Sequence, residues 1–250
     1  MPSRFRAGAL ARLAIAGACL LAFAARDGAG AQITAAVSLP GPSAIVAADQ
    51  PFGRAVERAP EGRLWSKWRD ILVAMATETS RVEGCRARAS ACDDAAALDF
   101  VALVDTARGL DGRDRLATVN RAVNDAIRFV TDLDQHGVQD RWSAPLVTLA
   151  NRQGDCEDFA ILKYAVLRSA GLPETDLRVV VVHDRWIGDV HAVLSVREGD
   201  RWHVLDNRWA EPRVDAALPR FAPLFTLAAD GVSAYPENAV APKLMRTAAR

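Results

Sequence analysis

Cys156 lies in Gly154-Asp155-Cys156-Glu157-Asp158-Phe159, where a polar stretch gives way to a helical pattern. A thiol in the first turn of a helix faces unpaired backbone N–H groups and the positive end of the helix dipole. Both favour thiolate, the nucleophilic form of cysteine. The same N–H groups can hold the oxyanion of a tetrahedral intermediate. Gly154 permits a close approach at this point. The neighbouring carboxylates act the other way, because Asp155, Glu157 and Asp158 raise the thiol pKa unless a cation offsets them. An all-oxygen ligand set suits calcium or magnesium better than zinc. At this level two plainer readings stay open: a buried structural cysteine, and acids that only compensate the helix dipole.

A cysteine nucleophile needs a base, and the base needs an orienting group. The four histidines are His136, His183, His191 and His203. His191–Val196 and Trp202–Asn207 read as a hairpin. A two-residue turn at Glu198-Gly199 puts Arg197 opposite Asp200 and His191 directly opposite Asp206. Opposed residues project to one face with Cβ atoms about 5 Å apart, within imidazole–carboxylate reach. His203 has the other parity and points away. His136 and His183 read as surface residues. The candidate catalytic set is therefore Cys156, His191 and Asp206, and the candidate metal set is Asp155, Glu157 and Asp158. A structural hydrogen bond across the hairpin is the alternative for His191 and Asp206.

These groups need elements to hold them. From Leu64 the pattern is helical, with Trp65, Trp68, Ile71, Leu72 and Met75 on one stripe. Residues 95–107 read as a second helix. Asp111 caps a third, whose stripe runs Leu116, Val119, Val123, Ile127, Val130 and which His136-Gly137 ends. Residues 140–154 read as a polar connection. The helix from Asp155 to Ala170 buries Phe159, Leu162, Val166 and Leu167, with Gly171 as its C′ residue and Pro173 beyond. Leu177–Val182 begins a β-rich region. Helices first and an antiparallel sheet after, with one long helix between, predict an α+β fold. Cys85 and Cys92, between the first two helices, read either as a disulfide or as two unpaired thiols.

The ends read differently. Arg4, Arg6 and Arg12 precede an uncharged run of 13 residues, Leu13 to Ala25, and Ala29-Gly30-Ala31 supplies small residues for a cut before Gln32. That is the layout of a secretory signal over residues 1–31, and the run is too short to span a bilayer. Lipidation at Cys19 is the weaker alternative, since the apolar run continues past it. Residues 32–63, rich in Ala, Pro and Gly, are expected to be a flexible arm, residues 64–235 the domain, and residues 236–250 a weakly ordered tail. The chain carries 31 basic and 31 acidic residues. Without residues 1–31, 27 basic and 30 acidic residues remain. Such a balance argues against a nucleic-acid reader, and no later segment is apolar enough to insert in a membrane. Four cysteines with no CxxC argue against a disulfide scaffold or a structural zinc.

Several blocks together resemble the bacterial transglutaminase-like cysteine proteinases. They are Trp142-Ser143-Ala144-Pro145, Gly154-Asp155-Cys156-Glu157-Asp158-Phe159-Ala160, Lys163-Tyr164, Leu167 and Gly171. His191-Ala192-Val193-Leu194 and Val204-Leu205-Asp206-Asn207 continue the likeness, as do Val119-Asn120, Val123-Asn124 and Asp134…Gly137…Asp140 upstream. The chain departs from the family at Ala192, where methionine is frequent, and over residues 208–215. The resemblance implies a papain/transglutaminase-like fold, with N-terminal helices packed on an antiparallel sheet and the nucleophile at a helix N-terminus. It implies Cys156 as nucleophile, His191 as base and Asp206 as orienting group. It ties Asp155 and Glu157 to calcium, with Asp158 as a further ligand and Glu174 and Asp176 as outlying candidates. LapG-type members are periplasmic and calcium-dependent. They cut a di-alanine-containing segment near the N-terminus of a large surface adhesin and so control biofilm release. An inner-membrane receptor that senses cyclic di-GMP restrains them. Acyl transfer to an amine and an idle peptide-binding module are the competing functions.

Overall fold

The computed structural model describes residues 50–236. The expected signal peptide, the first part of the expected arm and the tail beyond Pro236 lie outside the described residues.

Three helices occupy most of residues 63–126. α1 (Arg63–Ala87) buries Trp68, Ile71 and Met75 of the expected stripe, with Trp65 and Leu72 packed at its margin. α2 (Ala95–Arg108) begins where the Asp94 carboxylate accepts the Ala97 N–H at 3.1 Å, a side-chain N-cap. Asp94 also pairs with Arg81 of α1. Cys85 and Cys92 are joined by a disulfide, which ties the end of α1 to the approach to α2.

α3 (Gly112–Ala126) buries Leu116, Val119 and Val123 but stops before the predicted end. Ile127 is extended at φ −130°, ψ 146°. The chain then forms β2 (Arg128–Phe129) and a short helix, α4 (Asp132–His136). The β-branched Ile127 and Val130 continue the helical spacing of apolar residues, but they are also strand formers. The ladder decides the conformation: β2 pairs in parallel with β3 (Gln153–Gly154), and the Val130 N–H donates to the Gly154 carbonyl at 2.9 Å.

The expected polar connection over residues 140–154 also contains a helix. α5 (Pro145–Asn151) has Pro at its first turn, which suits a helix start. It buries Leu146 and Leu149 and ends at Arg152 in the left-handed region. Seven residues are too few for periodicity to reveal.

α6 (Cys156–Ser169) is buried from Glu157 to Leu167, because helices cover one side and the sheet the other. Gly171, at φ 101°, ends it in the left-handed conformation while the Leu172 N–H returns to the Leu167 carbonyl at 3.1 Å.

The sheet has seven strands, all antiparallel, in the order β1-β9-β8-β4-β5-β6-β7. They are β1 (Glu57–Arg58), β4 (Leu177–Asp184), β5 (Asp189–Glu198), β6 (Arg201–Leu205), β7 (Arg213–Val214), β8 (Phe221–Ala228) and β9 (Gly231–Ala234). On β4, Leu177, Val179 and Val181 face the helices and Val180 and Val182 face the other way, the alternation of a strand buried on both sides. The second face is covered by Val56, Leu218, Phe221 and Tyr235. Residues 50–59 therefore pack on the folded body, which corrects the expectation of a flexible arm over that stretch. The Tyr235 hydroxyl donates to the Pro51 carbonyl at 3.2 Å, and β1 extends the sheet edge.

Candidate active site

The hairpin turn sits one residue later than expected. Glu198 pairs with Arg201 and Leu194 with Leu205, so the loop is Gly199-Asp200. The first loop residue takes φ 62°, which glycine adopts without strain and glutamate does not. In this register Asp206 falls opposite Val193 rather than His191. The displacement is an even number of residues, so His191 and Asp206 keep the same face and become diagonal neighbours. The His191 ring spans the gap: its Nε2 lies 3.1 Å from Asp206 Oδ2. Both side chains are buried, at 5% and 1% exposure.

β6 stops at Leu205, so the edge of β5 beyond Leu194 has no β6 partner. Cys156 enters there from the N-terminus of α6, and the nearby main-chain N–H of Ala192, the residue after His191, favours its thiolate form. The thiol thus lies beside the strand that carries His191, and His191 is hydrogen-bonded to Asp206. His203 is buried on the opposite parity, as predicted. His136 and His183, read as surface residues, are half-buried.

The loop that carries Asp206 is fixed from behind by α3. Asn124 Nδ2 donates to the carbonyls of Asp206 (3.1 Å) and Trp209 (3.0 Å), and Asn120 Nδ2 to those of Trp209 (2.6 Å) and Ala210 (3.0 Å). Two asparagines four residues apart on the apolar side of an amphipathic helix were the signal for this role. Burial by itself raises the Asp206 pKa, but hydrogen bonds from His191 and Arg208 outweigh it and hold this carboxyl well below the usual range. Lys163 of α6 is fully buried near Asp206; its burial lowers its pKa to about 7, against the pull of that carboxylate.

The acids beside the thiol are joined by two that sequence reasoning did not place. Asp155, Asp158 and Asp132 form one group, and Glu157, Asp132 and Asp140 another, with ligand atoms inside each group within 4.8 Å of one another. A third group is Asp155, Cys156 and Glu157. The β2–β3 pairing makes this possible, since it sets Asp132 at the start of α4 beside the start of α6. Asp140 follows α4 and pairs with Lys67. Gly154 admits the crowding: a Cβ there would lie 2.5 Å from Asp158 Oδ2. Glu174 and Asp176 lie at the other end of α6, where they pair with Arg168 and Arg197 and take no part in the cluster.

Three observations fit this cluster to a cation. Asp132 Oδ1, Asp155 Oδ1 and Asp158 Oδ2 are buried without a hydrogen-bond partner. Asp155 is the residue before α6, yet its side chain caps no helix N–H, so simple capping does not account for it. Burial and then mutual repulsion raise the pKa values of Asp155, Glu157 and Asp158, the last to about 7. Burial, then Glu157 and Asp155, push the Cys156 thiol well up, and its sulfur donates to Glu157 Oε2 at 3.3 Å. Two overlapping groups of three carboxylates that share Asp132 make a site for a hard dication. Positive charge there would offset the acids that hold the thiol protonated.

A helix-borne thiol beside a strand that carries a histidine–carboxylate pair is an arrangement suited to a cysteine hydrolase. The chain belongs to the bacterial transglutaminase-like cysteine proteinases, whose family model matches residues 75–215, more than half of its length. Among solved structures it is similar to Legionella pneumophila LapG. The calcium-bound form is 26% identical over 62% of this chain and 88% of that one, with a TM-score of 0.54. The EGTA-treated form is also 26% identical, over 61% and 84%, with a TM-score of 0.52. No curated protein matches the chain. As a member of a cysteine proteinase family, the protein is a peptidase that acts on protein substrates.

Proposed function

We propose that this protein is a calcium-dependent periplasmic cysteine endopeptidase that cuts the N-terminal region of a large surface adhesin and so controls biofilm release. The catalytic reading is supported by the His191–Asp206 hydrogen bond together with the placement of Cys156 beside the main-chain N–H of Ala192, where β6 ends. With Nε2–H given to Asp206, the free nitrogen of His191 is Nδ1. In this reading Nδ1 takes the Cys156 proton and the thiolate attacks the scissile carbonyl. Main-chain N–H groups at the start of α6 receive the oxyanion. The imidazolium protonates the leaving amine as the C–N bond breaks, which leaves a thioester. His191 then deprotonates a water, which attacks the thioester and releases the new carboxylate and the thiol.

Asp132, Asp140, Asp155, Glu157 and Asp158 are the residues that would hold calcium. The ion supplies positive charge beside the thiolate. The unpartnered buried carboxylate oxygens support this, as does the calcium-bound form of the Legionella relative. The charged, apolar and small-residue segments within residues 1–31 support export. The adhesin, its di-alanine-containing segment and restraint by an inner-membrane receptor that senses cyclic di-GMP follow from the family resemblance.

Incubation with N-terminal fragments of large surface proteins from the same genome tests the proposal. Fragment masses locate the cut, and an added amine separates hydrolysis from acyl transfer. Cleavage is expected to stop with Cys156→Ala and with EGTA, and to return with calcium but not magnesium. Undiminished cleavage by Cys156→Ala removes the catalytic reading; indifference to EGTA removes the calcium reading.

A further inference from the structure

We infer that Arg208 is a positioning residue for hydrolysis, a clamp that holds Asp206 against His191 and is itself anchored on Asp184; this rests on the triad reading above. Asp206 is 1% exposed, so its oxygens need internal partners. Oδ1 accepts the Arg208 main-chain N–H at 2.9 Å and Arg208 Nε at 3.0 Å. Oδ2 lies 3.1 Å from His191 Nε2, 2.8 Å from Arg208 Nη2 and 3.3 Å from Arg208 Nε. The guanidinium fork thus grips both oxygens and leaves one direction on Oδ2 for the imidazole. A planar fork fixes a carboxylate's rotation as well as its charge, which an ammonium does not.

The fork is held in turn. Arg208 Nη1 donates to Asp184 Oδ2 at 2.9 Å, and Asp184 is fully buried at the end of β4. Asp184 pairs with Asp189 across the β4–β5 ladder, two residues from His191. The guanidinium also lies 5.6 Å from the Trp209 ring centroid and 5.7 Å from that of Phe221. Phe221 packs edge-on against the His191 ring, with centroids 6.2 Å apart. Arg208 therefore touches the carboxylate that orients the base and the aromatic ring that backs it. The other cation near Asp206, Lys163, makes no hydrogen bond to it: its Nζ has no partner. Removing Arg208 leaves two buried acids, Asp184 and Asp206, without their shared counter-charge. Asp206 is then free to rotate away from His191 or to take up a proton.

Hydrolysis of p-nitrophenyl acetate by the full protein with calcium present tests this without a known peptide substrate. The burst of p-nitrophenol reads acylation of Cys156, and the steady state reads attack of water on the acyl-enzyme through His191. Arg208→Gln is expected to lower the steady-state kcat about 10- to 100-fold, less than the roughly 100- to 10,000-fold worth of a general base because the base is misdirected and not removed, while burst amplitude and the KM of acylation stay within about twofold. Arg208→Lys keeps a cation between the two acids and should recover part of the loss. In an Asp206→Asn background, single-turnover rates should change less than twofold on adding Arg208→Gln, because the residue acts through Asp206. A purely structural role predicts the same proportional loss in both backgrounds. The clamp is overturned if Arg208→Gln hydrolyses at the wild-type rate, if the losses multiply, or if Arg208→Lys is no better than Arg208→Gln. A burst retained by Cys156→Ala overturns the cysteine-nucleophile reading itself, a distinct result.

Discussion

The thiol of Cys156 is caught between opposing influences. Helix N–H groups and the Ala192 N–H favour thiolate, whereas burial, Glu157 and Asp155 oppose it. In the proposed mechanism the His191–Asp206 pair supplies the base, and its value can be measured. Asp206→Asn should lower kcat about 100-fold or more, with KM little changed; steady-state kinetics on a cleaved fragment check this, and an unaltered kcat would make the pair structural. Asp132 tests the reach of the cation site, since it lies far in sequence from the acids around Cys156. Asp132→Asn should weaken calcium binding at least about tenfold by titration calorimetry. Affinity equal to wild type would exclude Asp132 from the ligand set.

Single elements set these side chains in place. α6 begins where β3 ends, and Gly154 is the joint. Gly154→Ala puts a methyl group 2.5 Å from Asp158 Oδ2, so a shift of α6 or of Asp158 must follow. A loss of about 1–3 kcal/mol in urea unfolding is expected, together with weaker calcium binding. The Cys85–Cys92 disulfide belongs to the α1–α2 connection and joins residues outside the site. Replacing both cysteines by alanine should cost about 2–3 kcal/mol of stability and leave kcat unchanged below the melting transition. A drop in kcat at unchanged stability would link that connection to the site.

For the whole molecule, the acid cluster couples stability to pH and metal. Asp158 has a folded-state pKa near 7, raised from 3.8 chiefly by burial; Asp155 and Glu157 are raised as well. A raised folded pKa means that the folded state holds the proton more tightly than the unfolded state. That stabilisation is complete below about pH 4 and is lost as pH rises towards 7. For Asp158 alone it is a few kcal/mol, about 1.4 per pKa unit. The metal-free protein should therefore melt at progressively lower temperature from about pH 5 to pH 7.5. Saturating calcium should raise the melting temperature most at the upper end of that range. Scanning calorimetry with and without EGTA reads both slopes. A metal-free protein that gains stability over this interval would contradict the cluster as described.

Much of this was legible in the chain because it is local. The helix opening at Cys156, its Gly171 end, the α1 stripe, the β5–β6 hairpin and the shared face of His191 and Asp206 follow from short-range geometry and from side-chain parity, which an even register displacement preserves. The turn itself was misplaced because Gly199, not Glu198, tolerates the backbone angle required. Other features depend on contacts between distant segments. Only the parallel ladder between residues 128–129 and 153–154 ends α3 at Ala126 and carries Asp132 to Asp155 and Asp158. Only packing against the second sheet face orders residues 50–58. Only the end of β4 brings Asp184 to Arg208. Local pattern reports what a segment can bury; which distant charges meet in a low-dielectric site is decided by how the segments cross, since those ion pairs gain their energy only after the fold has excluded water.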